Sequence, residues 1–148
     1  MAYDSARGVT VLFGGGWWSE HGSGPYVANG ETWEWNGSDW TLKSTTGPSP
    51  RYWHAMAYDS ARGVTVLFGG NTGSGRSGET WEWNGSAWTL KSTVGPSPRY
   101  EHAMVYDSAR GITVLFGGQT DSGDSGETWE WNGSAWTLKC TTGPSQRD

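Results

Sequence analysis

Leu, Ile, Val and Phe are scarce in this chain, together 18 of 148 residues, about 12%. With a large net charge so low a fraction points to disorder. The formal charge is only −5, however, and 12 Trp and 6 Tyr carry the apolar content instead. No apolar run approaches the ~18 residues that a membrane-spanning helix needs. The single cysteine excludes an intramolecular disulfide framework and a cysteine-rich zinc site. Ten basic residues against fifteen acidic ones argue against a nucleic-acid surface. No basic start leads into an apolar stretch, so no signal peptide is expected, and the chain reads as cytoplasmic as expressed. The Ala–Leu–Glu–Lys periodicity of a long helical bundle is also missing.

What is present is a repeat. YDSARGVTVLFGG begins at Tyr3 and Tyr58 and, with Ile for one Val, at Tyr106. GETWEWNGS begins at Gly30, Gly78 and Gly126, and WTLK at Trp40, Trp88 and Trp136. The period is 48 residues, and the first unit carries seven extra residues between FGG and GETW. The single domain 1–148 divides into units of about 1–47, 48–95 and 96–148. At the join only the counterparts of Trp53, His54 and Ala55 are absent. Near-identity of the units is what recent duplication or deliberate construction gives.

Each unit reads as four strands. In the second, these are His54–Tyr58, Val64–Phe68, Thr80–Trp83 and Ala87–Lys91. Asp59 to Gly63 is a turn, since Asp folds onto nearby N–H groups and Gly takes positive φ. Alternation puts Trp81 and Trp83 on one face, and Trp88 and Leu90 on one face. Asn84-Gly85 predicts a two-residue type I′ hairpin. Four antiparallel strands per 48 residues with Gly-Gly and Trp signatures match a propeller blade.

The combination of Pro50-Arg51 and His54, Gly69-Gly70, and Trp88, with its counterparts in the other units, resembles the kelch-repeat family, in a variant of bacterial and galactose-oxidase-like propellers. The repeat residues that carry it are Gly14, Gly15, Trp33, Trp35, Trp40, Arg51, His54, Gly69, Gly70, Trp81, Trp83, Trp88, Arg99, His102, Gly117, Gly118, Trp129, Trp131 and Trp136. The resemblance implies an all-β propeller with strand one nearest the axis and strand four outside. Its functions are mostly binding or scaffolding, and fold alone does not settle which.

Kelch rings have five to eight blades, so three form an open arc with an apolar face at each end. The expected remedy is a homodimer closing a six-bladed ring, with each blade belonging to one chain. The other readings are a fragment of a longer propeller and a larger or swapped assembly.

Variation between units concentrates after FGG and at the start of strand one, where Trp53 stands against Glu101. Both places are expected on one side of the propeller, the default binding face. Trp17, Trp18, Glu20, His21, Tyr26, Tyr52, Trp53, Tyr100 and Glu101 are the candidates there, suited to stacking on sugars or clasping a peptide. Against this, Trp17 and Trp18 could cover their own loop. His54 and His102 read as structural and hydrogen-bonded beside Arg51 and Arg99, which bond across blades, and the repeated Trp read as packing between blades. Ser122 to Trp129 fits the sialidase-like Asp-box pattern once and reads as chance. Cys140 replaces Ser44 and Ser92 and sits outside a blade, where it does not suit a galactose-oxidase copper site. The expectation is no enzyme, no cofactor, no metal, no nucleic acid and no membrane.

Overall fold

Each repeat builds one four-stranded antiparallel sheet. The computed structural model describes residues 1–19 and 26–144. In the first repeat the strands lie in the order Ala2–Asp4, Val9–Phe13, Thr32–Trp35, Trp40–Ser44. The second repeat gives Ala55–Asp59, Val64–Phe68, Thr80–Trp83, Trp88–Ser92, and the third Ala103–Asp107, Ile112–Phe116, Thr128–Trp131, Trp136–Cys140. All regular structure among the described residues is β. The three sheets stand side by side with their first strands meeting, a propeller-like arrangement in which strand one is innermost.

Two local readings need correction. Trp83 pairs with Trp88, and the Asn84 N–H donates to the Ala87 carbonyl, so the hairpin loop includes Ala87. The Asn84 side-chain carbonyl accepts from the Ser86 and Ala87 N–H groups and draws them out of the strand. Of the residues in this loop only Gly85 has positive φ, as at the first central position of a type II′ turn; a type I′ turn would need two such residues. The inner strand likewise starts at Ala55 rather than His54, because Trp53 turns the chain with φ +58°. The Asp59 turn forms as expected: Oδ1 accepts from the Ala61 and Arg62 N–H groups, and Gly63 closes it at φ +66°.

The core lies between the sheets. Ala2, Val11 and Phe13 of the first sheet pack against Met56, Tyr58, Leu67 and Trp83 of the second. In the second sheet Val66, Leu67 and Phe68 are all fully buried, as expected for a strand covered on both sides. The outer sheets alternate: Val11 and Phe13 are buried while Leu12 between them is half-buried. The middle blade alone has a neighbour on each side.

Candidate functional site

The segments that vary between repeats do converge. The loop after Gly70 folds into a hairpin, Asn71–Thr72 with Gly75–Arg76, and Arg51–Tyr52 adds to it as a third strand. In the third blade Tyr100 bridges to Gln119, in the hairpin of Gln119–Thr120 and Gly123–Asp124. In the first blade Gly16–Trp18 pairs with Tyr26–Ala28.

A row of rings crosses this face. Tyr26 of the first blade stacks 6.2 Å from Trp53 of the second, tilted by 30°. Trp53 lies 5.2 Å from Tyr100 of the third, tilted by 32°. Tyr52 stands edge-on to Trp53 at 4.7 Å and 4.3 Å from Tyr26. The Arg76 guanidinium lies over Tyr100 at 5.0 Å and pairs with Asp121 at 2.5 Å. Trp53 remains 47% exposed. Glu101, its counterpart, is exposed and shares its left-handed backbone, with φ +56°; its N–H donates to the Trp53 carbonyl at 2.9 Å.

Of the residues expected on this face, Tyr26, Tyr52, Trp53, Tyr100 and Glu101 come together, and Trp17 is exposed nearby in chain but makes no described ring contact with them. Glu20, His21 and the Trp18 side chain lie outside the described part of the chain. Asn71, Arg76 and Gln119 belong to the variable loops 71–77 and 119–125 expected on this face, but the sequence singled out none of them as a site residue. The hairpin chemistry that places them was readable only as variable loop.

No protein-family model and no curated protein matches this chain.

The second feature is the junction between blades, which is written twice in the same chemistry. Phe13 packs edge-to-face with Trp88 at 5.3 Å and with the His54 ring at 5.6 Å. One blade on, Phe68 meets Trp136 at 5.3 Å and His102 at 5.5 Å. Trp83 Nε1 donates to Glu34 at 3.1 Å, and Trp131 Nε1 to Glu82 at 3.1 Å. The Tyr58 hydroxyl lies near enough to Asp4, and that of Tyr106 to Asp59, to influence the ionisation of each tyrosine. Each blade thus offers acceptors and a Phe on one side, and indoles and a Tyr on the other.

At the ends of the arc these groups are unmatched by a further described blade. Tyr3 is 60% exposed, where Tyr58 is 9%. Trp40 is 45% exposed, and with Leu12 and Trp33 it lines an open apolar depression of about 340 Å³. Their counterparts Leu67, Trp81 and Trp88 are packed with Phe13 in the first junction. At the other end Phe116 is half-buried and leans on Gly143, whereas Gly47 and Gly95 lie against Trp88 and Trp136 of the following blade. Val105 is 61% exposed, and the Asp107 side chain is 32% exposed where Asp4 and Asp59 are 3%. Trp33, Trp35 and Trp40 lie on the first blade's open side, the apolar end expected of an arc of three, because burial there requires a preceding blade.

Arg51 and Arg99 are fully buried, but they bond within their own blades, which corrects the expected bridge across blades. Arg51 donates to the Gly69 carbonyl, Ser77, Ser49 and, at 2.6 Å, the Glu79 carboxylate. Arg99 repeats this with Gly117, Ser125, Ser97 and Glu127. What crosses the junction is backbone: Gly15 N–H donates to the Arg51 carbonyl and Gly70 N–H to that of Arg99. His54 is half-buried beside Arg51 and His102 is buried beside Arg99, as a structural role requires. Neither Nδ1 has a partner among the described residues, and the rings are held by Phe13 and Phe68 instead. Burial, then the charges of the N-terminal ammonium and of Arg51, push His54 down to about 3; burial and Arg99 push His102 down to about 4. Both are neutral at pH 7.

Among the described residues no three His, Cys, Asp or Glu side chains are grouped to hold a metal. The Asp-box segment is a hairpin turn in which Thr120 Oγ1 accepts from the Ser122 N–H, and Thr72 does the same in the second blade without the Asp.

Proposed function

We propose that this chain is a non-enzymatic, kelch-type propeller arc that assembles with a second copy of itself into a closed six-bladed ring. The observation that carries the reading is the vacant depression of Leu12, Trp33 and Trp40 at one end and the half-buried Phe116 at the other. They are the two halves of the junction that Phe13 makes with Leu67, Trp81 and Trp88. Seated head to tail, Phe116 of each copy enters the other's depression, Trp40 takes the place of Trp88, and Gly143 gives way. Trp35 then faces Glu130, and Tyr3 faces Asp107, as Trp83 faces Glu34 and Tyr58 faces Asp4. Two such junctions, related by a two-fold axis, close a ring without an open edge.

Light scattering after size exclusion tests this on the Cys140→Ser chain, which cannot form an intermolecular disulfide. The expected mass is twice 16.1 kDa and holds on dilution. Phe116→Asp is expected to give folded monomers by far-ultraviolet circular dichroism. A folded wild-type monomer, or a mass other than a dimer, would overturn the ring; a dimer untouched by Phe116→Asp would overturn the junction assigned to it.

A further inference from the structure

We propose that the Trp53 face is a carbohydrate-binding site that takes a neutral sugar ring, with the indole as stacking plate and Glu101 as hydroxyl acceptor. The site lies on the loop side of the blades and does not depend on ring closure.

The backbone shape comes first. Trp53 and Glu101 both stand at φ near +57° in equivalent turns, so the left-handed geometry is a property of the repeat. Neither is Gly or Asn, the residues that adopt this region at least cost. What the repeat varies is the side chain that the turn throws outward, an indole in one blade and a carboxylate in the next. The hydrogen bond from the Glu101 N–H to the Trp53 carbonyl makes the two positions neighbours across the blade boundary.

The indole is nearly half exposed, yet its orientation is fixed by three tyrosine rings at 4.7–6.2 Å. A pre-oriented aromatic surface loses little conformational entropy when a ligand covers it. Around it are polar groups capable of further hydrogen bonds: Asn71, bonded to the Tyr52 hydroxyl at 3.2 Å, and Gln119, bonded to that of Tyr100. Arg76, whose guanidinium lies over Tyr100, is already paired with Asp121, so among the described residues it offers no unpaired positive charge to an anionic sugar.

An apolar plate with hydroxyl-competent neighbours matches a pyranose, which has an apolar C–H face and a polar rim. It suits strand addition by a peptide less well, because the backbone beside the Trp53 turn is already engaged: Arg51 N–H with Asn29, Tyr100 N–H with Gln119, Glu101 N–H with Trp53, and the Arg51 and Arg99 carbonyls with Gly15 and Gly70. Recognition by strand addition needs such groups free.

The test is an array of immobilised neutral oligosaccharides (β-1,4-gluco, α-1,4-gluco and galacto series) beside an array of proline-rich and acidic peptides, followed by calorimetry on any glycan retained. Expected is saturable binding to at least one neutral glycan. Trp53→Ala should weaken it by about tenfold or more, and Trp53→Tyr, which keeps a ring, by less. Glu101→Gln, which leaves the indole in place, should weaken it several-fold. Circular dichroism and mass verify that each variant is folded and assembled as the parent. No saturable glycan binding, capture by peptides alone, or glycan binding that survives Trp53→Ala in a folded chain would each overturn the proposal. So would binding abolished by Trp17→Ala but indifferent to Trp53 and Glu101.

Discussion

Trp88 Nε1 donates a 2.8 Å hydrogen bond to Thr32 Oγ1 in the preceding blade, and Trp136 repeats it to Thr80 at 2.8 Å. Thr32 and Thr80 are fully buried, so each indole N–H and hydroxyl depends on the other for its pairing. Thr80→Val keeps the shape, removes the acceptor and strands the indole. We expect a loss of about 1–2 kcal/mol in urea unfolding. The counterpart change Thr128→Val should leave a chain dissociated by Phe116→Asp as stable as before, but weaken dimerisation of the parent, read as mass against dilution. Equal destabilisation of the dissociated chain by both changes would contradict the assignment of Thr128 to an open face.

Arg51 is buried with its fork divided between a carbonyl, two hydroxyls and the Glu79 carboxylate. Arg51→Ala would leave Gly69 O and its neighbours unpaired and is expected to cost about 3 kcal/mol, near the lower end for such pairs because Glu79 is a third exposed. Arg51→Lys should recover little of this, since an ammonium cannot span the same partners. Thermal midpoints of the two variants decide it.

Acid should weaken the fold in two stages. His54 and His102 have folded-state values of about 3 and about 4, below the ordinary histidine value, because burial between the blades disfavours their charge. The unfolded chain therefore binds protons first, and stability falls as pH drops from about 6.5 toward 4. Glu79, held below the usual carboxylate range by Arg51 despite the opposing effect of burial, contributes stability present at neutral pH and lost in the more acid stage. Urea midpoints between pH 7 and 4 should decline, and His102→Leu should flatten that decline. An unchanged slope in that variant would show that His102 does not titrate across the window.

Gly69 adopts φ +70°, and a Cβ there would sit 2.6 Å from the Arg99 carbonyl oxygen and 2.8 Å from His102 Cε1. Backbone and a packed ring cannot both yield, so Gly69→Ala is expected to lower stability by about 2 kcal/mol or more. Gly63, also at positive φ, has open space around it. Gly63→Ala should cost only the backbone strain, about 1 kcal/mol. Calorimetric comparison of the two separates crowding from conformation.

Cys140 ends an outer strand in an exposed position, with Sγ 3.2 Å from the Thr142 carbonyl. Its counterparts Ser44 and Ser92 make the same local bond at 2.8 Å. Cys140→Ser should change stability by less than about 0.5 kcal/mol. The native thiol, lowered in pKa by its bonds to Thr142, should react fully with a maleimide without unfolding. Slow labelling that tracks unfolding would refute this placement.

Much of the architecture was legible in the sequence because it is local and repeated. The Asp59 turn, the Gly69-Gly70 stop and the alternation of Trp81 and Trp83 each rest on a few neighbouring residues. A three-fold repeat shows where one blade ends and the next begins. The hairpin at Asn84 was misread by one turn type, since the side chain of Asn84 competes for N–H groups that the dipeptide rule assigns to the strand. The convergence of Trp53 with Tyr26 and Tyr100 was legible only as a shared side of the blade. The ring contacts, and the part played by Arg76, required the hairpins to be folded.

The same four residues, TWEW, occur in each repeat, yet Trp83 and Trp131 are each 1% exposed while Trp35 is only half-buried. Sequence determined that each would lie on a sheet face, by alternation alone. Tertiary structure decided which of those faces has a neighbour, because the burial of an indole and the pairing of its N–H depend on groups some fifty residues away, in the preceding blade.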